Sequence, residues 1–117
     1  MINSLESIRE KRGKYRGYLK NKEKHGLGIY EWDYGGDRYE GEFKNDASNG
    51  IGMYYMKNKD LYIGEFNNFK MHGKGVYYFR NGNKYSGEWE DGERHGRGIM
   101  YYKENGNSKA MFFSKGK

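Results

Sequence analysis

The chain has 117 residues, 34% of them hydrophobic and 18% aromatic, with 19 glycines, no proline, no cysteine and a formal net charge of +6. That length bounds it to one domain with a small core, and such burial as it achieves must be largely aromatic. Without cysteine, disulfides, thiolate metal sites and thiol catalysis are excluded. No apolar run approaches the roughly 20 residues of a membrane-spanning helix, so the expectation is a soluble cytoplasmic protein.

At the start of the chain, Asn3 with Glu6 three residues later has the form of a capping box, and Ile2, Leu5 and Ile8 recur every third residue. This spacing predicts a short helix over about Ser4 to Arg12, within an N-terminal unit of residues 1–13 that caps the first strand. Met1 to Arg12 lacks the long apolar core of a signal peptide. From Arg9 to Lys24 the eight basic residues Arg9, Lys11, Arg12, Lys14, Arg16, Lys20, Lys22 and Lys24 face only Glu10 and Glu23, and they carry the whole net charge of +6. Such a run is most simply a solvated surface; its sharper reading is contact with anionic lipid or acidic protein tails. Nucleic acid is not expected, because the aromatics are committed elsewhere.

From Tyr15 onward the chain repeats itself. Tyr15-Arg16-Gly17-Tyr18-Leu19, Tyr39-Glu40-Gly41-Glu42-Phe43, Tyr62-Ile63-Gly64-Glu65-Phe66 and Tyr85-Ser86-Gly87-Glu88-Trp89 start 24, 23 and 23 residues apart. Each is followed by a second signature: His25-Gly26-Leu27-Gly28, Asn49-Gly50-Ile51-Gly52, His72-Gly73-Lys74-Gly75 and His95-Gly96-Arg97-Gly98. A period this short means one supersecondary unit stacked on its copies, with units at 14–38, 39–61, 62–84 and 85–109.

Within each unit the first signature reads as a strand whose aromatics and glycine share one face, so that rings lie over bare backbone. Glu42, Glu65 and Glu88 recur on the other side and mark it as solvated. The second signature opens another strand, over Gly26 to Trp32, Gly50 to Met56, Gly73 to Phe79 and Gly96 to Tyr102. Turn formers separate the halves at Asn45-Asp46, Asn67-Asn68 and Asp91-Gly92, and the units at Gly35-Gly36, Asn81-Gly82 and Asn105-Gly106. Short turns at both ends force an antiparallel meander of about eight or nine strands. The second strands are apolar on both faces: Val76 and Tyr78 oppose Tyr77 and Phe79, and Ile99 and Tyr101 oppose Met100 and Tyr102. One face must therefore be left as a candidate partner surface, for which Tyr55, Tyr78, Trp89 and Tyr101 are the candidate contacts. Residues 110–117 supply a terminal edge strand, over Ala110 to Ser114, and a tail; that uncapped edge offers pairing with a second copy or another protein.

Aromatic-x-Gly-x-aromatic followed by His-Gly-x-Gly at this period resembles the MORN repeat family over Tyr15 to Lys109. The resemblance implies an all-β fold, a single-layer twisted antiparallel sheet of stacked hairpins with an aromatic groove. It also implies no catalysis and no cofactor: such proteins scaffold cytoskeletal and ciliary or axonemal assemblies, tether membranes or precede an enzymatic domain. Some hold a partner segment in the groove, and some dimerise. The expectation is thus a protein–protein scaffold at the cytoskeleton or cilium; a peripheral membrane adaptor using Arg9 to Lys24, or the repeat domain of a larger enzyme, are the alternatives. Three departures stand out: Leu19 replaces an aromatic, Asn49 replaces histidine, and the first unit is one residue longer.

The residues that tempt a chemical reading are His25, His72 and His95. Equivalent positions in successive hairpins lie about 10 Å apart, too far to share a metal, and no cysteine completes a zinc set. A structural role in the turn is expected, with no metal site. The glutamates recur at the same spacing, which does not make a catalytic carboxylate pair.

Overall fold

The computed structural model describes residues 4–114, and in it ten strands follow one another in chain order across a single antiparallel sheet. They are β1 (Ser4–Arg9), β2 (Gly13–Lys20), β3 (Glu23–Trp32), β4 (Arg38–Lys44), β5 (Ala47–Tyr55), β6 (Leu61–Asn67), β7 (Lys70–Tyr78), β8 (Lys84–Glu90), β9 (Glu93–Tyr101) and β10 (Ser108–Phe113). Hairpins β2–β3, β4–β5, β6–β7 and β8–β9 are the four repeats. The molecule is elongated, 49 × 24 × 20 Å, and the backbone of each strand lies close almost exclusively to those of its immediate neighbours.

The repeat is built around a tyrosine on a glycine. Tyr15, Tyr39, Tyr62 and Tyr85 are wholly buried although the sheet has a single layer. Gly64 pairs with Gly75, and the Tyr62 ring crosses to lie on Gly75, where an added Cβ would overlap the phenol. The ring thus gains an apolar floor without a second layer. Its hydroxyl, removed from water, donates to the Glu65 carbonyl at 3.1 Å, as Tyr39 does to Glu42 at 2.8 Å and Tyr15 to Tyr18 at 2.7 Å. Edge-on contacts then link tyrosine to the next aromatic along the sheet, as from Tyr15 to Phe43, Tyr39 to Phe66 and Tyr62 to Trp89, with centroids 5.0, 4.9 and 5.3 Å apart. Each such pair contributes about 0.5–1.5 kcal/mol beyond the area it buries.

The glutamate ladder lies on the face away from these rings, yet it is not merely solvated. Each hairpin has a bulge after its first glycine, with Gly50, Gly73 and Gly96 at positive φ. Glu42, Glu65 and Glu88 accept the N–H of Ile51, Lys74 and Arg97 at 2.6, 2.8 and 3.1 Å, satisfying donors that the bulge frees. Tyr18 stands at this position in the first repeat.

At one end of the sheet each hairpin closes on two residues with positive φ: Asn21-Lys22, Asn45-Asp46, Asn68-Phe69 and Asp91-Gly92. This is the type I′ geometry that suits the twist of paired strands. Each later turn also reaches back to the preceding repeat, the N–H groups of Asp46, Asn68 and Gly92 donating to the carbonyls of Lys24, Ser48 and Met71. At the other end the expected Gly35-Gly36, Asn81-Gly82 and Asn105-Gly106 turns are present. There a second staple recurs: Asp37, Asp60 and Asn83 accept the N–H of Lys57, Arg80 and Lys103 at 3.0, 2.8 and 3.0 Å.

These clasps accompany a strong curl of the sheet towards the ring-bearing face. Phe69, in the β6–β7 turn, lies 6.2 Å from Tyr30 and 5.6 Å from Trp32 on β3. Three strand spacings would separate β3 from β6 by about 14 Å in a flat sheet. The ring-bearing face is therefore concave.

The predicted N-terminal helix is corrected to strand β1. In it Ile8 pairs with Tyr15 and lies on the concave side, whereas Leu5 points to the other face. A helix of about nine residues has few hydrogen bonds to offset its nucleation, while the open edge of β2 offers a complete ladder. Asn3, the other half of the supposed capping box, lies outside the described residues.

Candidate functional site

The concave face is a trough of half-buried rings over a buried row. Its floor is the tyrosine row with Phe43, Phe66 and Trp89; its walls include Trp32, Tyr54, Met56, Tyr77, Phe79 and Tyr102. The Trp89 indole donates to the Gly75 carbonyl at 3.2 Å and so is fixed edge-in. Two wall tyrosines are fixed by the aspartates of the inter-repeat staple: Tyr54 to Asp37 at 2.9 Å and Tyr77 to Asp60 at 2.6 Å. Burial, and then the accepting carboxylate, pushes both phenols well above their ordinary pKa, so they stay protonated donors. In the last repeat the wall residue is Met100 and the staple residue Asn83. An aspartate is dispensable where no phenol needs its second oxygen, and the amide still accepts the Lys103 N–H.

Along this trough the repeats are not alike. Phe69 packs on Tyr30, Trp32, Tyr39 and Phe43. Its φ of +64° is strained for a bulky side chain, and its N–H donates to the buried Ser48 hydroxyl. Two repeats further on, Tyr77, Phe79 and Trp89 are the equivalents of Tyr30, Trp32 and Phe43. They border an open cleft of about 350 Å³ with Met71, Gly92, Glu93 and Arg94. Among the described residues no side chain fills it as Phe69 fills the first. The intervening position has Gly92 in place of Phe69, with nothing within 4 Å of an added Cβ.

The four predicted aromatic contacts do not share a face. Tyr55, Tyr78 and Tyr101 lie in one cross-strand row on the convex side, running through Arg38, Leu61 and Lys84. Arg38 covers the Tyr55 ring at 4.3 Å and Lys84 the Tyr101 ring at 5.1 Å. Trp89 is on the opposite, concave side and only 6% exposed. The sequence held this distinction: Trp89 is four residues from buried Tyr85 and in its phase, whereas Tyr78 is out of phase with Tyr77. What periodicity could not say is which phase faces inward.

The basic run is also divided. Lys24 is 5% exposed, with its ammonium 2.7 Å from Glu10, 3.5 Å from Asp46 and over the rings of Tyr15 and Tyr30. It is a structural clamp and not available to a polyanion, which corrects its place among the predicted basic contacts. Arg9 is ion-paired with Asp33. Lys11, Arg12, Lys14, Arg16, Lys20 and Lys22 remain exposed. Lys14 and Lys20 bracket β2, about 20 Å apart, so the run lies along a strand and does not converge on one spot.

His72 and His95 border a shallow convex depression with Glu65, Glu88 and Glu90, and His95 Nδ1 lies 3.4 Å from Glu90. Among the described residues no three of His, Cys, Asp and Glu converge to hold a metal ion. Sequence reasoning missed the Asp37/Asp60/Asn83 staple, although its spacing of 23 residues is legible, and it missed Phe69, whose signal is a bulky residue where the neighbouring turns have Lys, Asp or Gly.

In comparison with known families, the family model described as MORN repeat matches residues 15–36, 39–61, 62–84 and 85–106. No curated protein matches the chain. Repeats of this kind are compatible with a module that binds proteins or membranes.

Proposed function

Because the chain belongs to the MORN repeat family, we propose that it is a non-enzymatic interaction module that holds an extended partner segment in its concave trough. The supporting observation is Phe69. The protein uses one of its own aromatic side chains to fill the first of a series of equivalent ring-walled sites, and among the described residues none fills the last, between Tyr77, Phe79 and Trp89. A partner segment that presents an aromatic or large aliphatic side chain would find apolar walls there, with Glu93 and Arg94 at the mouth. Its place in a cytoskeletal or ciliary assembly rests on the family association alone, and its place in the cytoplasm on composition.

Tagged protein purified from cells would test this by comparing two variants of matched fold, verified by circular dichroism. Met71→Lys with Phe79→Ala alters the cleft, and co-purifying partners are expected to be lost. Tyr55→Ala with Tyr78→Ala and Tyr101→Ala strips the convex row, and partners are expected to persist. The opposite pattern would move the partner site to the convex face, and partners retained by both would remove the reading.

A second reading, contact with anionic lipid or acidic protein tails, is favoured by the six basic side chains that stay exposed along β2 and its turns. Each contributes about 1 kcal/mol near an anionic membrane. Vesicles containing phosphatidylserine should sediment the protein at low salt, and Lys11→Glu with Lys14→Glu should release it. Salt-independent sedimentation would count against the reading.

A further inference from the structure

The two edge strands are the halves of one interrupted repeat. β10 adds to β9 in the register of a first strand: Met111 pairs with Gly98 as Gly87 pairs with Gly75. β1 adds to β2 in the register of a second strand: Glu6 pairs with Gly17 as Gly28 pairs with Gly41. The leading half thus lies at one edge of the sheet and the trailing half at the other. Ten strands in a meander is an even number, so β10 of one copy and β1 of a second run antiparallel when the sheets are set end to end in the same orientation. Among the described residues no strand pairs with the outer edge of β1 or of β10, so each presents a row of backbone donors and acceptors.

The side chains fit that joint. Within every hairpin the first-strand glycine pairs with the second-strand glycine, as Gly64 does with Gly75. The same rule sets Met111 opposite Glu6 of a second copy, and Lys109 opposite Ile8. In the internal repeats the tyrosine two residues before the first glycine lies diagonally on the second, as Tyr62 does on Gly75. At the joint the tyrosine place is held by Lys109 and the glycine place by Glu6, both exposed, which puts an ammonium against a carboxylate on the same diagonal. On the other face Phe112 meets Leu5. These are 74% and 70% exposed, more than any other large hydrophobic residue in a described strand.

We propose that this protein self-associates head to tail, β10 of one copy completing a repeat with β1 of the next, so that copies join into one continuous, open-ended sheet. A heterologous contact of this kind does not close at two subunits. It differs from the symmetric pairing of two C-terminal edges, which would leave Leu5 uncovered and Glu6 without a role. Neither edge strand lines the concave cleft, so the proposal stands apart from the partner reading above.

Sedimentation velocity on the purified chain over a wide concentration range is the test. Wild-type protein is expected to grow beyond dimer as concentration rises. Glu6→Lys and Lys109→Glu are surface changes expected to keep the circular dichroism of the parent, and each alone should weaken association by about tenfold or more by opposing like charges. An equimolar mixture of the two variants should grow again. In an alternating chain of the two, every second joint restores the original pair of Lys109 with Glu6, and the joints between carry the same pair with its charges exchanged. Leu5→Lys should block growth by itself. A monomer at all concentrations, a species that stops at dimer and ignores Glu6→Lys, or a mixture that stays dissociated would each overturn the proposal.

Discussion

In the N-terminal half of the trough Phe69 covers Tyr30, Trp32 and Phe43, while in the C-terminal half the equivalent Tyr77, Phe79 and Trp89 stand around a cleft that no described side chain fills. The same contrast holds one layer down. Lys24, in the first repeat, is sealed by Glu10 and Asp46. Its equivalent in the fourth, Arg94, lies half-exposed over the rings of Phe113 and Tyr85, at 4.5 and 5.5 Å. One backbone unit thus supplies both a sealed end and a more exposed one, and the difference is made at positions where the repeat has no consensus. Turn residue 69 and strand residues 24 and 94 carry it, while the tyrosines and glycines that define the unit are common to both halves.

The largest effect should erase the contrast altogether. Burial holds the phenols of Tyr15, Tyr39, Tyr54, Tyr62 and Tyr77 above their ordinary pKa, that of Tyr15 pushed up to about 12. Above pH about 10 the unfolded chain loses these protons and the folded one keeps them, so the unfolded state binds fewer and stability falls as pH rises. Thermal melts are expected to show both halves lost together in one steep alkaline decline. Two separate transitions would mean that the halves are independently stable.

Removing the filler should bring the N-terminal half closer to the C-terminal one. Phe69→Ala is expected to cost about 3 kcal/mol in urea unfolding, from lost ring contacts. Phe69→Gly should cost about 1 kcal/mol less than alanine, because glycine accepts the positive φ. Equal losses would show that the turn is unstrained.

The paired cations offer a finer comparison. Lys24→Met is expected to cost about 1–2 kcal/mol by stripping Glu10 and Asp46 of a desolvated partner, while Arg94→Met should stay within about 0.5 kcal/mol of wild type. Similar losses at both positions would remove the distinction between a sealed and an open end.

The smallest effect is expected from Gly92→Phe, which copies the Phe69 turn into the next repeat. Strain and new packing on Tyr54 and Phe66 oppose each other, leaving stability within about 1 kcal/mol of wild type. A large loss would show that the middle of the trough cannot accept a ring.

Much of the fold is legible in the sequence because its determinants repeat. The four hairpins, the meander, the tyrosine-on-glycine packing and the turns follow from residues whose phase recurs every 23 or 24 positions, except that the β6–β7 turn closes on Asn68-Phe69, one residue past the expected Asn67-Asn68. Two kinds of feature are not legible. Leu5 and Ile8 fit a helical spacing as well as a strand, and what decides between them is the open edge of β2, a partner that local pattern does not contain. The inward face cannot be assigned either, because Tyr77 and Tyr78 are chemically alike; what separates them is the curl of the sheet, which shows only in contacts between repeats such as Phe69 on Trp32. The candidate site is the least legible part. Aromatic character alone groups Trp89 with three tyrosines of the opposite face, and a local charge count makes Lys24 free although Glu10 and Asp46, 14 and 22 residues away, neutralise it.

A meander whose strands hydrogen-bond only to their neighbours has an evident mechanical character. Load applied along the long axis falls on inter-strand hydrogen bonds one row at a time, so the sheet should peel at low force, strand by strand, from either end. The tyrosine-to-aromatic contacts bridge every second strand, and Phe69 reaches further, tying the β6–β7 turn to β3. Under tension the first hairpins should therefore yield as a block at higher force than the last, and this single off-pattern ring would give the molecule a stiff end and a compliant one.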